Sequence, residues 1–177
     1  MDYLQEMKCL RQEKGWHREG TAALTFVSTI NGYHAYHNRP LQGRQFVMQC
    51  SHQSSKYDKW GCVVKAPQLE DVDEAVQGIE TRAGPNRTTV ADVAGKVIGH
   101  VPRKICNVLA AGLAVDFSIA RAVCVFTGEF QHGGAASGGG PKLVAVYHLE
   151  VVRQRDAVEI ADSIRPHLTD KDRLWIY

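Results

Sequence analysis

Residues 95–104 read Gly-Lys-Val-Ile-Gly-His-Val-Pro-Arg-Lys and predict a junction between a strand and a helix. The aliphatic residues before His100 indicate the end of a strand, because β-branched side chains favour extended backbone. Pro102 indicates the first turn of a helix, where a backbone N–H would be unpaired anyway. Arg103 and Lys104 follow in that turn, so the junction places an imidazole and two cations close together.

Further strands are indicated on both sides of the junction by β-branched and apolar runs that end at turn-forming residues. The expected strands cover 23–30, 45–50, 60–66, 90–101, 120–129 and 142–152. One helix is expected from Pro102 to about Gly112 and a last one over 153–166. Short strands outnumber helices, which predicts a mostly β or α+β domain: a small, strongly bent sheet or barrel with helices across one end.

An acidic segment separates two of the expected strands. Residues 68–80 carry five carboxylates and no basic side chain. Apolar residues recur there at the helical period and predict a short amphipathic helix. These positions are Val72, Ala75, Val76 and Ile79. Together with the loop that follows, the segment predicts an insertion at about 67–89, and its carboxylates are interpreted as a solvated helix face rather than a divalent-ion site.

The chain has 177 residues, of which 44% are hydrophobic and 23% charged, as in an average soluble globular protein. We therefore expect one domain over 21–177, preceded by a polar N-terminal extension over 1–20. No apolar run approaches the ~18 residues that a membrane span requires, and the charged segment 1–14 does not resemble a secretory signal. We expect no membrane partner and an intracellular location, nuclear or cytoplasmic.

The five cysteines contain no closely spaced pair and are odd in number, so we expect reduced thiols, no metal site and no cofactor. His132 and Ser137 lie in a glycine-rich loop between two expected strands, whereas a catalytic nucleophile elbow joins a strand to a helix. No phosphate-binding glycine loop opens a helix either. The chain is therefore not expected to be an enzyme.

Aromatic and basic side chains are interleaved in two segments. Residues 32–37 read Gly-Tyr-His-Ala-Tyr-His, and residues 56–60 read Lys-Tyr-Asp-Lys-Trp. In an extended chain, Tyr33 and His37 would face one side and Tyr36 the other. Rings that stack on bases, beside cations that neutralise phosphates, are typical of single-stranded nucleic-acid binding, although the same rings also occur in cores and at their rims.

The order and spacing of these segments resemble the HIRAN domain family, a module found at the N-terminus of the helicase-like transcription factor and related chromatin-remodelling ATPases. The resemblance covers roughly residues 21–167. It rests most specifically on the Tyr57-Asp58 pair and on residues 97–102, with residues 32–37 as the first matching segment.

The resemblance implies a modified OB- or SH3-like β-barrel with two or three flanking helices. It also implies binding of single-stranded DNA and capture of a free 3′-hydroxyl end, in DNA repair, replication or a chromatin context. The nucleic-acid-binding residues that it and the neighbouring cations indicate are Tyr36, Tyr57, Asp58, His100, His34, Lys59, Arg103 and Lys104.

Each of these residues has a physical role in such a site. Asp58 would accept a hydrogen bond from the terminal hydroxyl, which a continuing strand lacks. Tyr36 and Tyr57 would flank the last bases. His100, near a helix N-terminus, would donate to a phosphate. His34 stands where the family has an arginine, and the alanine that follows stands where it has a second aromatic residue.

The sequence leaves one alternative function open, a protein-interaction module on the same fold. Its epitope would be the acidic segment 68–80 with the loop 84–87, and its partner a protein instead of DNA. Surface charge distinguishes the two functions, because a basic surface around the cations of residues 56–59 and 103–104 favours DNA. An acidic or neutral rim there favours a protein partner.

Overall fold

The computed structural model of the protein describes residues 2–132 and 141–177. Its helices are α1 (Tyr3–Glu13), α2 (Tyr33–Tyr36), α3 (Glu74–Gln77), α4 (Val90–Val93), α5 (Arg103–Ala114) and α6 (Gln154–Ile164). Its strands are β1 (Ala22–Ile30), β2 (Phe46–His52), β3 (Cys62–Lys65), β4 (Glu80–Arg82), β5 (Thr88–Thr89), β6 (Val97–His100), β7 (Ile119–Gln131), β8 (Lys142–Val151) and β9 (Leu174–Ile176). Within the described residues, no helix combines the length and the apolar character needed to cross a bilayer.

Seven strands form one antiparallel sheet in the order β6-β3-β2-β7-β8-β1-β9, and β4 pairs with β5 in a separate hairpin. The pairing of β7 with β8 is long and begins with Ile119 opposite Val151. The architecture is therefore mixed α+β and rich in strands, as the sequence predicts. Among the described strands the sheet is not closed into a barrel, because β6 meets the chain beyond β1 at one isolated bridge, between Asn31 and His100.

Helices α5 and α6 contribute to the main core on one face of the sheet. In α5 the buried residues Ile105 and Leu109 recur at helical spacing, as Ala157 does with Ile160 and Ala161 in α6. They join sheet residues in one cluster that includes Phe26 and Tyr147, whose rings stack with their centroids 5.1 Å apart. Burial of apolar surface, at about 25 cal/mol per Å², is the main force that holds these helices on the sheet.

Helix α1 packs on the opposite face of the sheet. Met7 is buried against Val125 and Val146, whereas their strand neighbours Phe126 and Tyr147 belong to the main core. The alternation follows from the two-residue period of a strand. The first twenty residues, expected to form a polar extension, thus include a helix that covers part of the sheet.

A buried ion pair joins α1 to the sheet. Arg11 donates from Nε and Nη2 to the two carboxylate oxygens of Glu150, at 2.6 and 2.9 Å. His148 Nε2 lies 2.7 Å from Oε1 of the same carboxylate, and its Nδ1 lies 3.1 Å from the hydroxyl of Thr25. That hydroxyl lies 2.9 Å from the hydroxyl of Tyr177, so the network extends to the last residue of the sequence.

The network satisfies the buried charge of Glu150. Burial alone would raise the pKa of Glu150, but hydrogen bonds from His148 and Arg11 outweigh this effect and lower the pKa below its ordinary value. Among the described residues, no buried side-chain nitrogen or oxygen lacks a hydrogen-bond partner. Such a network must be complete, because removing one member leaves an uncompensated buried charge.

The acidic segment packs against the sheet, but its helix is shorter than predicted. Helix α3 has four residues, and Gly78 is its C-cap. Val72 and Val76 are buried with Val90 in a small cluster, whereas Ile79 is exposed. The single apolar face predicted from the periodicity is therefore wrong, because the backbone leaves the helix before Ile79.

The expected strand over 90–101 is wrong in its first half. Residues Val90–Val93 form α4, which a capping box initiates: the Thr89 hydroxyl accepts from the Asp92 N–H, and the Asp92 carboxylate accepts from the Thr89 N–H. This local capping outweighs the β-propensity of the valines. The second half is strand, as β6.

Replacing Glu150 with glutamine removes the buried charge and keeps its shape. We expect Glu150→Gln to lower the free energy of unfolding by about 3–5 kcal/mol near neutral pH, since Arg11 would retain a buried charge without a counter-ion. The pKa of Glu150 is lowered in the folded protein. The carboxylate's contribution is therefore present above the ordinary glutamate pKa of about 4.3 and fades as the pH falls below it.

Chemical denaturation at about pH 7 and about pH 3 measures this difference. The matched control is Glu159→Gln on the exposed side of α6, which should change stability by less than about 0.5 kcal/mol at either pH. An equal loss for Glu150→Gln at both pH values would mean that the charge of Glu150 does not stabilise the fold.

Candidate functional site

A pocket of about 420 Å³ opens where the loop before β3 meets the N-terminus of α5. Five residues that the sequence selects for nucleic-acid binding line it, namely Tyr36, Tyr57, Asp58, His100 and Arg103. The rest of the wall consists of Gln53, Ser55, Gly61, Cys62, Val63, Val101 and Cys106. Residues from three separate segments of the chain therefore share one site.

Two backbone hydrogen bonds bring these segments together. The Asn31 N–H donates to the His100 carbonyl at 3.0 Å, and the His100 N–H donates to the Asn31 carbonyl at 2.9 Å. This crossing of the two backbones at Asn31 and His100 requires a glycine before His100, because a Cβ on Gly99 would collide with the Asn31 carbonyl oxygen. Gly32 follows the crossing at φ +73°, and a Cβ there would lie 2.6 Å from His100 Nε2. Both glycines are therefore needed where the sheet folds back on itself.

The His100 ring has a defined orientation in the wall of the pocket. Its Nδ1 lies 3.1 Å from the carbonyl oxygen of Val101, which is an acceptor only, so Nδ1 carries the hydrogen. Its Nε2 makes no hydrogen bond to any described residue. A ligand therefore finds an acceptor at this nitrogen when the ring is neutral and a donor when it is protonated.

Asp58 is positioned by a tight turn. The Ser55 hydroxyl accepts from the N–H groups of Tyr57 and Asp58, at 3.2 and 3.0 Å. Asp58 Oδ1 accepts from the Trp60 N–H at 3.0 Å. Its Oδ2 has no hydrogen-bond partner among the described residues, so one carboxylate oxygen holds the turn and the other remains an acceptor for a ligand. Ser55 was missed in the sequence, although a serine hydroxyl that bonds to the backbone two residues on is typical of such turns.

The two tyrosines present their rings to solvent at the rim of the pocket. Tyr57 is 84% exposed and Tyr36 is 38% exposed. The Lys56 ammonium lies 4.7 Å from the centroid of the Tyr57 ring. Tyr36 ends α2, so the prediction of an extended chain here is wrong: Gly32, in the left-handed conformation, turns the chain into one helical turn.

The N-terminus of α5 adds positive charge beside the pocket. Its first turn contains no acidic residue, and Pro102 supplies no capping side chain. Arg103 and Lys104 are exposed in that turn, where a cation is unfavourable by about 0.3–1 kcal/mol at the positive end of the helix dipole. Neither they nor the lysines at positions 56 and 59 form an ion pair with a described carboxylate. A bound anion would relieve this repulsion.

Two buried thiols line the floor of the pocket. Burial, together with the neighbouring Cys106, raises the pKa of Cys62 to about 12. Burial and the negative charge of Asp58 also raise the pKa of Cys106. Both thiols are therefore protonated near neutral pH, whereas a nucleophilic or metal-binding cysteine needs its thiolate. Within the described part of the chain, no group of three or more metal-binding side chains is placed to hold a metal ion.

Three of the predicted binding residues lie outside the pocket wall. His34 lines a neighbouring cavity on the other side of α2. Lys59 places its ammonium 5.0 Å from the centroid of the Trp60 ring, and Lys104 is exposed in the first turn of α5. Ser137, considered above as a nucleophile, falls outside the described residues.

Compared with protein-family models, curated proteins and solved structures, the chain gives no significant match. Resemblance to the HIRAN family thus stays a prediction from the motifs.

Gly32 tests the geometry that holds His100. We expect Gly32→Ala to lower the free energy of unfolding by more than the 1–2 kcal/mol or so that positive φ costs an alanine, because the new methyl group meets the His100 ring. The His100 imidazole resonances should also shift in NMR spectra. Gly20→Ala is the matched control, since Gly20 has φ +81° and open space around its Cβ position. Equal destabilisation and an unmoved His100 signal would rule out this packing.

Proposed function

We propose that the protein is a single-stranded DNA-binding module that recognises a free 3′-hydroxyl end. The observation that carries this proposal is the pocket at the N-terminus of α5, lined by two tyrosines, a carboxylate, an imidazole and an arginine. No single group in it is diagnostic. Together they offer stacking surfaces, one hydroxyl acceptor and a phosphate-binding edge, which are the contacts that the end of a strand requires.

Recognition of the end depends on the free oxygen of Asp58. An ionised carboxylate is an acceptor only, so Oδ2 can receive the hydrogen of a terminal hydroxyl. A continuing strand has no hydrogen at that position, and a 3′-phosphate brings a negative charge against the carboxylate. Asp58 therefore favours a hydroxyl end over both alternatives.

The remaining contacts follow from the rings and cations. Tyr36 and Tyr57 flank the terminal bases, since each exposed ring offers a face for stacking. The last phosphate lies beside the N–H groups at the start of α5, with Arg103 as an additional donor, and His100 Nε2 donates as well when its ring is protonated. Protonated Cys62 and Cys106 at the floor support binding rather than covalent chemistry.

The proposed function also implies a relationship between this open sheet and a closed barrel. The sheet is interpreted as an OB- or SH3-like barrel that has opened along one seam, with the Asn31–His100 bridge as what remains of its closure. The insertion between β3 and β6 lies beside the same seam, where the family has a shorter connection.

A protein-interaction function has one observation in its favour. The acidic residues of the insertion are exposed, while Val72 and Val76 anchor the segment to the sheet. The exposed carboxylates are Glu70, Asp71, Asp73 and Glu74. Such a surface fits a basic protein partner, and its binding would not involve the pocket.

Asp58 provides the test of end recognition. We expect Asp58→Ala to weaken binding of a short oligothymidine with a free 3′-hydroxyl by roughly tenfold, the typical effect of losing one hydrogen bond to a charged group. Blocking the 3′ end with phosphate should weaken binding to the wild type and have little further effect on the variant. Fluorescence anisotropy with a 5′-labelled strand measures both.

Asp73→Ala is the matched control for this substitution, because Asp73 accepts from the Ala75 N–H at 3.0 Å just as Asp58 accepts from the Trp60 N–H. Asp73 does not line the pocket, so its loss should leave DNA affinity unchanged. Equal affinity of the wild type for blocked and free ends would rule out recognition of the hydroxyl.

Salt dependence tests the phosphate contacts and separates DNA binding from the protein-interaction alternative. Each phosphate contact to a single strand contributes about −0.7 to the slope of log affinity against log salt. We expect Arg103→Gln to reduce the slope by about that amount, whereas Lys171→Gln, an exposed control far along the chain, leaves it unchanged. No measurable DNA binding at low salt would contradict the proposal and leave the acidic surface as the better candidate.

A further inference from the structure

A second cavity lies on the other side of α2 from the first pocket. It has a volume of about 550 Å³ and is formed by α2, the chain that follows it and the end of β4. Its lining residues are Tyr33, His34, His37, Arg39, Thr81, Arg82 and Ala83. Four of these side chains can carry positive charge, and none of the described residues that line the cavity is acidic. The sequence selected only His34 from this group.

Arg39 is held in this cavity without a counter-ion among the residues that the structure describes. Its guanidinium carbon lies 4.2 Å from the centroid of the Phe130 ring. Its nitrogens lie 3.5 Å from the Tyr33 hydroxyl and 3.4 Å from Gln42 Oε1, both neutral groups. The arginine is half-buried. A stacked, partly desolvated guanidinium with no carboxylate keeps its charge and donors for a planar or tetrahedral anion.

Arg82 approaches the same cavity from the insertion. The acidic residue of β4, Glu80, is engaged by Arg87, whose Nε lies 2.6 Å from the carboxylate. Arg82 itself has no hydrogen bond or ion pair to a described side chain. The hairpin of β4 and β5 thus neutralises its own carboxylate with Arg87 and presents Arg82 free beside Arg39.

We propose that this second cavity is a phosphate-binding site, in which Arg39 and Arg82 bind the phosphate oxygens and His34 and His37 complete the shell. Two guanidinium groups with no competing carboxylate match the charge and the geometry of a phosphate. The phosphate can come from the same DNA strand or from a free phosphate compound. In the first case the strand crosses α2, because Tyr36 lines one cavity whereas Tyr33 and His34 of the same helical turn line the second.

The inference that the phosphate belongs to the DNA strand rests on the proposed function, whereas phosphate binding in the cavity does not. A helical turn is about 10–12 Å across with its side chains. A dinucleotide bound at the first pocket is therefore too short to place a phosphate in the second cavity, and a strand of about eight nucleotides is long enough. Length dependence consequently reports on this site separately from end recognition.

The experiment uses the full chain with pyrophosphate as the probe, at constant ionic strength. The imidazole NMR signals of His34 and His37 should shift on addition of pyrophosphate. Arg82→Gln should weaken the interaction by roughly tenfold, as expected for one charged hydrogen-bonding group. The matched control is Arg18→Gln, because Arg18 is exposed, forms no ion pair with a described carboxylate and does not line the cavity. It should leave pyrophosphate affinity unchanged.

The source of the phosphate is determined by competition. If an eight-nucleotide strand displaces pyrophosphate and binds more tightly than a dinucleotide by an Arg82-dependent factor, the strand occupies both cavities. If pyrophosphate binds but no oligonucleotide displaces it, the site serves a free phosphate compound. The effect of Asp58→Ala on oligonucleotide binding then tests the first pocket separately. Unshifted His34 and His37 signals, or equal effects of Arg82→Gln and Arg18→Gln, would overturn the phosphate site.

Discussion

Two reciprocal backbone hydrogen bonds between Asn31 and His100 position everything at the candidate site. They join the end of β1 to β6, although β6 lies at the far edge of the sheet. The crossing is possible only because Gly99 leaves room for the Asn31 carbonyl. It places Gly32 and α2 beside the start of α5, so that a tyrosine from one segment and a histidine and an arginine from another line the same cavity. In a closed barrel, a full ladder of backbone hydrogen bonds would hold these two segments together. Here the single pair Asn31 and His100 does so.

Among the described residues, charges are paired under α1 but unpaired at the surface around α2 and the N-terminus of α5. On the face covered by α1, Glu150 is matched by Arg11 and His148, and each polar group has a partner. Around α2 and the N-terminus of α5, cations are exposed or half-buried and form no ion pair with a described carboxylate. The net charge of the chain is only +2, so the basic character is local. A buried ion pair stabilises the fold only when each of its charges has a partner, whereas unpaired cations at a surface favour an anionic ligand.

The sequence predicts the parts of this structure that depend on local pattern. Strands β1, β2, β3, β7 and β8 and helices α5 and α6 follow from periodicity and turn residues, and the strand-to-helix junction after His100 follows from Pro102. Helix α4 was missed because a capping box at Thr89 outweighs valine's preference for strands. The role of α1 was missed because Arg11 finds Glu150 across 139 positions, a pairing that no local pattern contains. Likewise, Arg39 and Arg82 line the same cavity only through tertiary structure.

Helix α1 also determines where the chain can be shortened. A protein that starts at about Thr21, where the sequence predicts that the domain begins, would lack Met7 and Arg11. Val125 and Val146 would then form a bare apolar strip on one face of the sheet, next to a carboxylate that has lost its guanidinium partner. Exposed β-surface of this kind promotes self-association. Recombinant work on the domain should therefore retain the first residues, since a fragment cut at the apparent domain boundary is expected to aggregate.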